Sequence, residues 1–298
     1  MIWSTWRQHR PEALAAAAVL AGMASLLAFA AAQGAISRDV GSVLSTFVVI
    51  ALGVLPALAG MFLGAPLLAR DLEQGTYRLV WTQGTTRGRW LAAKLVFALA
   101  VVVPAAALLG VLTAALVTIP QETLSNGTTM DAVPIWNYFD VSGPALAGYV
   151  VFAFALGVAA GAVVGRTYPA MALTLVVYAA VRIFVVALVR PNYLPPLRLQ
   201  LDTFQAFPRP PGRHDPLYLY STYQTMSGQT LSDQQVMRLL GGQADQPTSL
   251  ASHGILSWVS YQPGDRWWAF QSIEAAIFAG LAALFVGLTV YWVSRRLA

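Results

Sequence analysis

Apolar residues in this chain come in blocks of about 20, the length that carries a helix across a hydrocarbon core about 30 Å thick. The blocks fall at about 13–33, 44–68, 91–118, 144–165, 169–189 and 271–293. A bilayer core offers no water, so each block must satisfy its backbone internally, as a helix does. Composition points the same way. Of 298 residues, 57% are hydrophobic and 10% charged, with a mean hydropathy of +0.61; soluble domains carry about 25% charged residues. The chain reads as an all-α integral membrane protein with six transmembrane helices.

Charge placement orients the spans. The proposed inner segments hold Arg7, Arg10, Arg70, Arg78, Arg87, Arg89, Lys94, Arg166, Arg295 and Arg296 against the acids Glu12, Asp71 and Glu73. The short outer loops contribute a single base, Arg38, while 119–143 carries Glu122, Asp131 and Asp140 with no base. Basic residues in short loops stay in the cytoplasm. Both termini are therefore placed inside, and the 190–270 segment, rich in proline, tyrosine and glutamine, outside. Within that segment Ser232–Leu240 reads as a helix opening at Ser232 or Asp233. Residues 1–12, with Trp3, Trp6, Arg7 and Arg10, suit a short cytoplasmic interfacial helix or a plain basic flank. A cleaved leader is disfavoured, because the first apolar run is long for one and more spans follow.

Several chemistries are excluded. There is no cysteine, and Lys94 is the only lysine. No Gly-Lys pair exists to build a phosphate-binding loop. His9, His214 and His253 all fall outside the spans, so no catalytic or metal-ligating cluster lies at membrane depth. A net charge of +5 spread this way indicates orientation and lipid contact, not nucleic-acid binding. Gly157, Gly161 and Gly165 line one face of the fourth span, open to close approach by another helix of the same chain or of a second copy.

Two charged positions do fall in spans. Arg182 lies about seven residues, roughly 10 Å, below the outer end of the fifth span, and Glu274 lies about 5 Å below the same surface in the sixth. An unpaired charge in hydrocarbon is costly. The two form an intramembrane pair, or else Arg182 snorkels to headgroups and Glu274 faces a wet vestibule.

The stretch 69–90 is dense in charge and punctuated by glycine. Asp71 suits a helix start, with Glu73 in the same first turn facing the positive end of the dipole. Gly75 interrupts, and Thr76 suits the start of a second short helix through Tyr77–Trp81. Tyr77, Leu79 and Trp81 would then offer an apolar contact ringed by arginines. On the residues alone, an ordinary positive-inside loop reads equally well.

Arg70, Glu73, Gly75, Thr76, Arg87, Trp90-Leu91 and Lys94 together resemble the coupling segment of type-2 permeases of ATP-binding cassette (ABC) transporters. The ending, Tyr261–Glu274 with Trp292 and Arg295-Arg296, looks like that of actinobacterial permeases of this class. The resemblance implies a cytoplasmic coupling helix between spans 2 and 3, with Asp71, Glu73, Gly75, Thr76, Tyr77, Arg78, Arg87 and Trp90 at the contact. It implies a separate ATP-binding subunit holding ATP and magnesium, and a second permease subunit, identical or not. The chain itself would bind no cofactor and catalyse nothing. It would work in the cell membrane as an exporter of a hydrophobic or amphipathic substrate. The expected organisation is an interfacial helix (1–12), spans 1–5 (13–189), an extracellular segment (190–270), and span 6 with a cytoplasmic end (271–298). A membrane-anchored sensor or scaffold with an extracellular ligand-binding segment is the alternative; a neighbouring gene for an ATP-binding subunit or for a kinase discriminates the two.

The absence of cysteine makes orientation directly measurable. Single cysteines at Thr85 and Ser227 should behave oppositely toward an impermeant maleimide in intact cells. Ser227→Cys should label and Thr85→Cys should be protected; labelling of the latter from outside would overturn the orientation.

Overall fold

The computed structural model describes residues 49–77, 86–118, 135–201, 216–239 and 254–296. The expected interfacial helix and first span lie outside these residues. Among the described residues, five helices are long and apolar enough to cross a membrane, one on each of the other five apolar runs. We name them α1 (Val49–Gln74), α2 (Arg87–Thr118), α3 (Gly143–Val164), α4 (Thr167–Phe184) and α6 (Trp267–Arg296); α5 belongs to the intervening segment. The described residues fall into two compact units. One contains α1 to α4 and α6 from Gln271 onward, and the other contains 187–270 with the short stretch before Tyr138.

In the helical unit α3 is the hub. Its span is 78% buried, against 17–33% for the other four. Glycine explains how so many neighbours reach it. A Cβ added to Gly157 would lie 2.2 Å from the Gly60 carbonyl oxygen, and one on Gly161 would lie 2.4 Å from that of Ala65. From the other side, Gly60 and Gly64 of α1 abut the carbonyls of Ala153 and Phe154. The glycine face of α3 is thus occupied by α1, through backbone-to-backbone contact of the small-residue type. Gly110 of α2 approaches the Gly143 carbonyl, and Gly148 faces Ala275 of α6. Phe152 packs its ring against Phe278 of α6 at 5.2 Å and Tyr178 of α4 at 6.0 Å.

At the crossing with α3, α1 carries a π turn over Ala59–Gly64, closed by the Ala65 N–H to the Gly60 carbonyl five residues back. Pro56 and Pro66 flank it, each removing a ladder donor; the irregularity lies between the prolines and not at Pro56 itself. The outward faces of α2 and α4 expose Val96, Leu108, Val111, Val176 and Ile183, side chains suited to lipid.

The second unit adds a sheet that the sequence reading did not contain. Four antiparallel strands, β1 (Leu197–Leu201), β2 (Leu217–Thr225), β3 (Thr230–Leu231) and β4 (Ile255–Gln262), are ordered β1-β4-β2-β3. A turn through Gly228, at φ +86°, joins β2 to β3. Helix α5 (Asp233–Leu239) opens at Ser232 with a reciprocal cap. The Gln235 N–H reaches Ser232 Oγ at 3.4 Å, and the Ser232 N–H donates to Gln235 Oε1 at 2.8 Å, the S-x-x-Q form of the capping box. Val236 and Ile255 form a small core under Tyr223 and Leu231. Gln262 is fully buried, donating to the Leu194 carbonyl at 2.7 Å and accepting from Arg266.

The glycine contacts set a clear expectation. Gly157→Ala should lower the melting temperature of the detergent-purified protein, because the new methyl meets backbone that cannot swing aside; overpacking costs about 1–3 kcal/mol. Gly280→Ala, where nothing lies within 4 Å, should leave it unchanged or raise it slightly.

Candidate functional site

Two polar constellations stand out in the helical unit, at opposite ends of its helices. The first surrounds the end of α1. The helix runs through Asp71 and Glu73 to Gln74 and stops at Gly75, whose φ of +69° and ψ of 8° form a left-handed C-cap. The two acids therefore occupy a last turn, not the first turn expected from the sequence. The apolar face of the span continues unbroken through buried Leu67, Leu68 and Ala69, so no new helix needs to start there. A carboxylate at the negative end of a helix is unfavourable by itself, and here each has a partner. The buried Lys94 ammonium pairs with the Asp71 carboxylate and donates to the Leu67 carbonyl at 3.1 Å. Glu73 Oε2 accepts from the Thr167 amide at 3.0 Å and from the Thr167 hydroxyl at 2.8 Å.

Thr76 and Tyr77 are helical, and Thr76 Oγ1 donates to the Asp71 carbonyl at 3.4 Å. Tyr77 is half-buried against the cluster of Leu67, Leu91 and Trp90 instead of fully exposed. Arg78 and the 79–81 stretch lie outside the described residues. Arg87 opens α2 just after Thr86, whose carbonyl accepts the Trp90 N–H at 3.0 Å and whose hydroxyl accepts that of Arg89 at 3.4 Å. Trp90 is 7% exposed, with Lys94 5.3 Å from its ring centroid. It is core, and contributes to the segment by fixing α2.

The second constellation joins α3, α4, α6 and the 3-10 turn Ile135–Val141. Arg182 lies 3.1 Å from Glu274 Oε1 and 3.0 Å from Asp140 Oδ1. Its guanidinium stacks 3.7 Å above the Tyr149 ring, whose hydroxyl donates to Glu274 at 2.7 Å. Glu274 is wholly buried. One cation thus bridges two carboxylates on different elements, with an aromatic face beneath it to replace lost hydration. Sequence reasoning left Asp140 in a loop and Tyr149 in an apolar run. An acid three residues before the Gly143-Pro144 helix start was the available signal for the first; for Tyr149 there was none. Among the described residues no group of three or more potential metal ligands assembles.

A helical membrane unit with a pinned, charged segment between two spans can now be set beside known families. The family model for ABC-2 membrane transporter related proteins matches residues 8–190, more than half of the chain. The chain belongs to the ABC-2 membrane transporter related family. Membership marks it as a permease subunit of an ABC transporter and a multi-pass membrane protein, and implies in general an ATP-binding partner subunit. No significant match to a curated protein or to a solved structure accompanies it.

The Arg182 cluster yields a stability expectation. Arg182→Met strands a buried Glu274 carboxylate and should cost about 3–5 kcal/mol, read as lost yield and a lower melting temperature. Adding Glu274→Gln and Asp140→Asn removes the stranded charge and should recover much of the loss. No recovery in the triple variant would show that the cation, and not charge balance, is what the cluster needs.

Proposed function

We propose that the chain is the permease subunit of an ABC exporter, resembling those of actinobacteria. It passes a hydrophobic or amphipathic substrate outward across the cell membrane. A separate subunit hydrolyses ATP with its magnesium, and the permease works as a dimer, with an identical or a related subunit, while catalysing nothing itself. Both termini and the 69–90 segment are cytoplasmic in this reading, and 190–270 is extracellular.

The observation that carries the proposal is the way the segment is anchored. Its first end, Asp71 to Gly75, is fixed to α2 through Lys94 and to α4 through Thr167. Its second end is fixed by the Thr86 cap and buried Trp90. An ordinary loop needs no such fixture. A segment that must receive a push and transmit it to the spans does. Family membership supplies the partner that would push.

The test lies at Gly75. A Cβ there meets nothing within 4 Å, so substitutions act on conformation and not on space. The left-handed region costs an ordinary L-residue about 1–2 kcal/mol, asparagine less, and proline cannot enter it. Permease-dependent ATP hydrolysis, measured in liposomes with the cognate ATP-binding subunit, should fall in the order Gly75→Asn, Gly75→Ala, Gly75→Pro. Normal hydrolysis in the Gly75→Pro complex would sink the coupling role.

A further inference from the structure

We propose that Glu73 is a positioning residue that acts through Thr167, tying the end of α1 to the start of α4, and is not itself a contact for the ATP-binding subunit. The proposal rests on the permease reading above and specifies how that segment passes motion onward.

The geometry is specific. The first turn of a helix has orphan amide donors and a positive dipole end. At α4 the N-cap is Arg166, which supplies no side-chain hydrogen bond. Glu73, 94 positions earlier in the chain, fills the vacancy with two bonds from one oxygen, to the Thr167 amide and hydroxyl. Everything around the bond brings these ends together. Helix α3 stops at Gly165, φ +66°, leaving only Arg166 before α4 begins. The Leu72 Cβ lies 3.9 Å from where a Gly165 side chain would start. Just inside, Ala65, Ala69, Ala160 and Ala170 form a core of small side chains that lets α1, α3 and α4 close in on one another.

The two acids of the segment thus divide the work. Asp71 binds α2 through Lys94, and Glu73 binds α4 through Thr167. Displacing the end of α1 pulls on both neighbours. Glu73 is exposed, so water can replace its bonds and the fold does not depend on them; losing them should cost coupling more than folding. One oxygen of that carboxylate, Oε2, is already occupied by Thr167.

The experiment uses the permease co-purified with its ATP-binding subunit, and the permease alone. In the complex, Glu73→Ala should lower permease-dependent ATP hydrolysis several-fold while the yield of complex stays at the parent level. Thr167→Val removes one of the two bonds; it should lose less, and add nothing when combined with Glu73→Ala. Arg166→Asp, which offers α4 a local cap, should not restore the Glu73→Ala complex. In the permease alone, Glu73→Ala should speed hydrogen exchange at the Thr167 amide by roughly tenfold. Reduced complex yield with Glu73→Ala but not with Thr167→Val would overturn the tie in favour of direct docking. Additive losses, unchanged exchange, or full rescue by Arg166→Asp would overturn it as well. Should the parent permease bind no ATP-binding subunit, the permease reading fails, and the exchange measurement still decides whether the tie exists.

Discussion

The backbone contact between α1 and α3 is the constraint on which the helical unit rests. Helices in a bilayer gain little by burying apolar surface from lipid that is equally apolar, so close packing and polar bonds must hold them. Gly157 and Gly161 let α3 meet the Gly60 and Ala65 carbonyls at distances no larger residue permits. The π turn of α1 sits at the same crossing, so the irregular part of one helix and the smooth face of the other coincide. With α1 seated, its last turn falls beside Gly165 and Thr167, and Lys94 of α2 comes within reach of Asp71.

A second regularity concerns helix starts. Neither α3 nor α4 has a local side-chain cap. The Ala145 amide near the start of α3 donates to Gln271 Oε1 of α6 at 2.9 Å, while Gln271 Nε2 donates to the Phe139 carbonyl at 2.8 Å. The start of α4 bonds Glu73 of α1. Orphan donors at membrane helix ends have to be satisfied, and here the satisfaction is supplied by other helices. Caps that would be purely local in a soluble protein become links between spans. The Arg182 cluster follows the same logic with charge in place of amides, joining three helices and a turn through one guanidinium.

How much of this the sequence carried depends on the range of the signal. Span length and apolarity are local, and five runs coincide with five helices. The sheet was missed because its long pairings, unlike the β2–β3 turn, are not local. Leu197–Leu201 pairs with Ser257–Tyr261 across more than fifty residues, and the proline clusters between them read as breakers. Depth counting along two spans brings Arg182 and Glu274 to similar levels, but says nothing of Asp140, which a 3-10 turn carries inward, or of Tyr149, whose hydroxyl is one polar atom in an apolar run. The charges of Asp71 and Glu73 were plain; their direction was not. A helix start and a helix end look alike in a charged stretch until the partners, Lys94 and Thr167, are known.

The link between Gln271 and the start of α3 has a bearing on the order in which the chain is made. Gln271 lies 126 positions after Ala145, so α3 leaves the ribosome long before the residue that caps it exists. Arg182 is better served, since Asp140 precedes it and offers a carboxylate at once, whereas Glu274 arrives with α6. The glutamate that bonds Thr167 is already in place when α4 emerges. Helix α6 is therefore the keystone of synthesis: until it is inserted, the start of the hub helix lacks the Gln271 bond, and a chain truncated before Gln271 leaves the Ala145 amide without that acceptor.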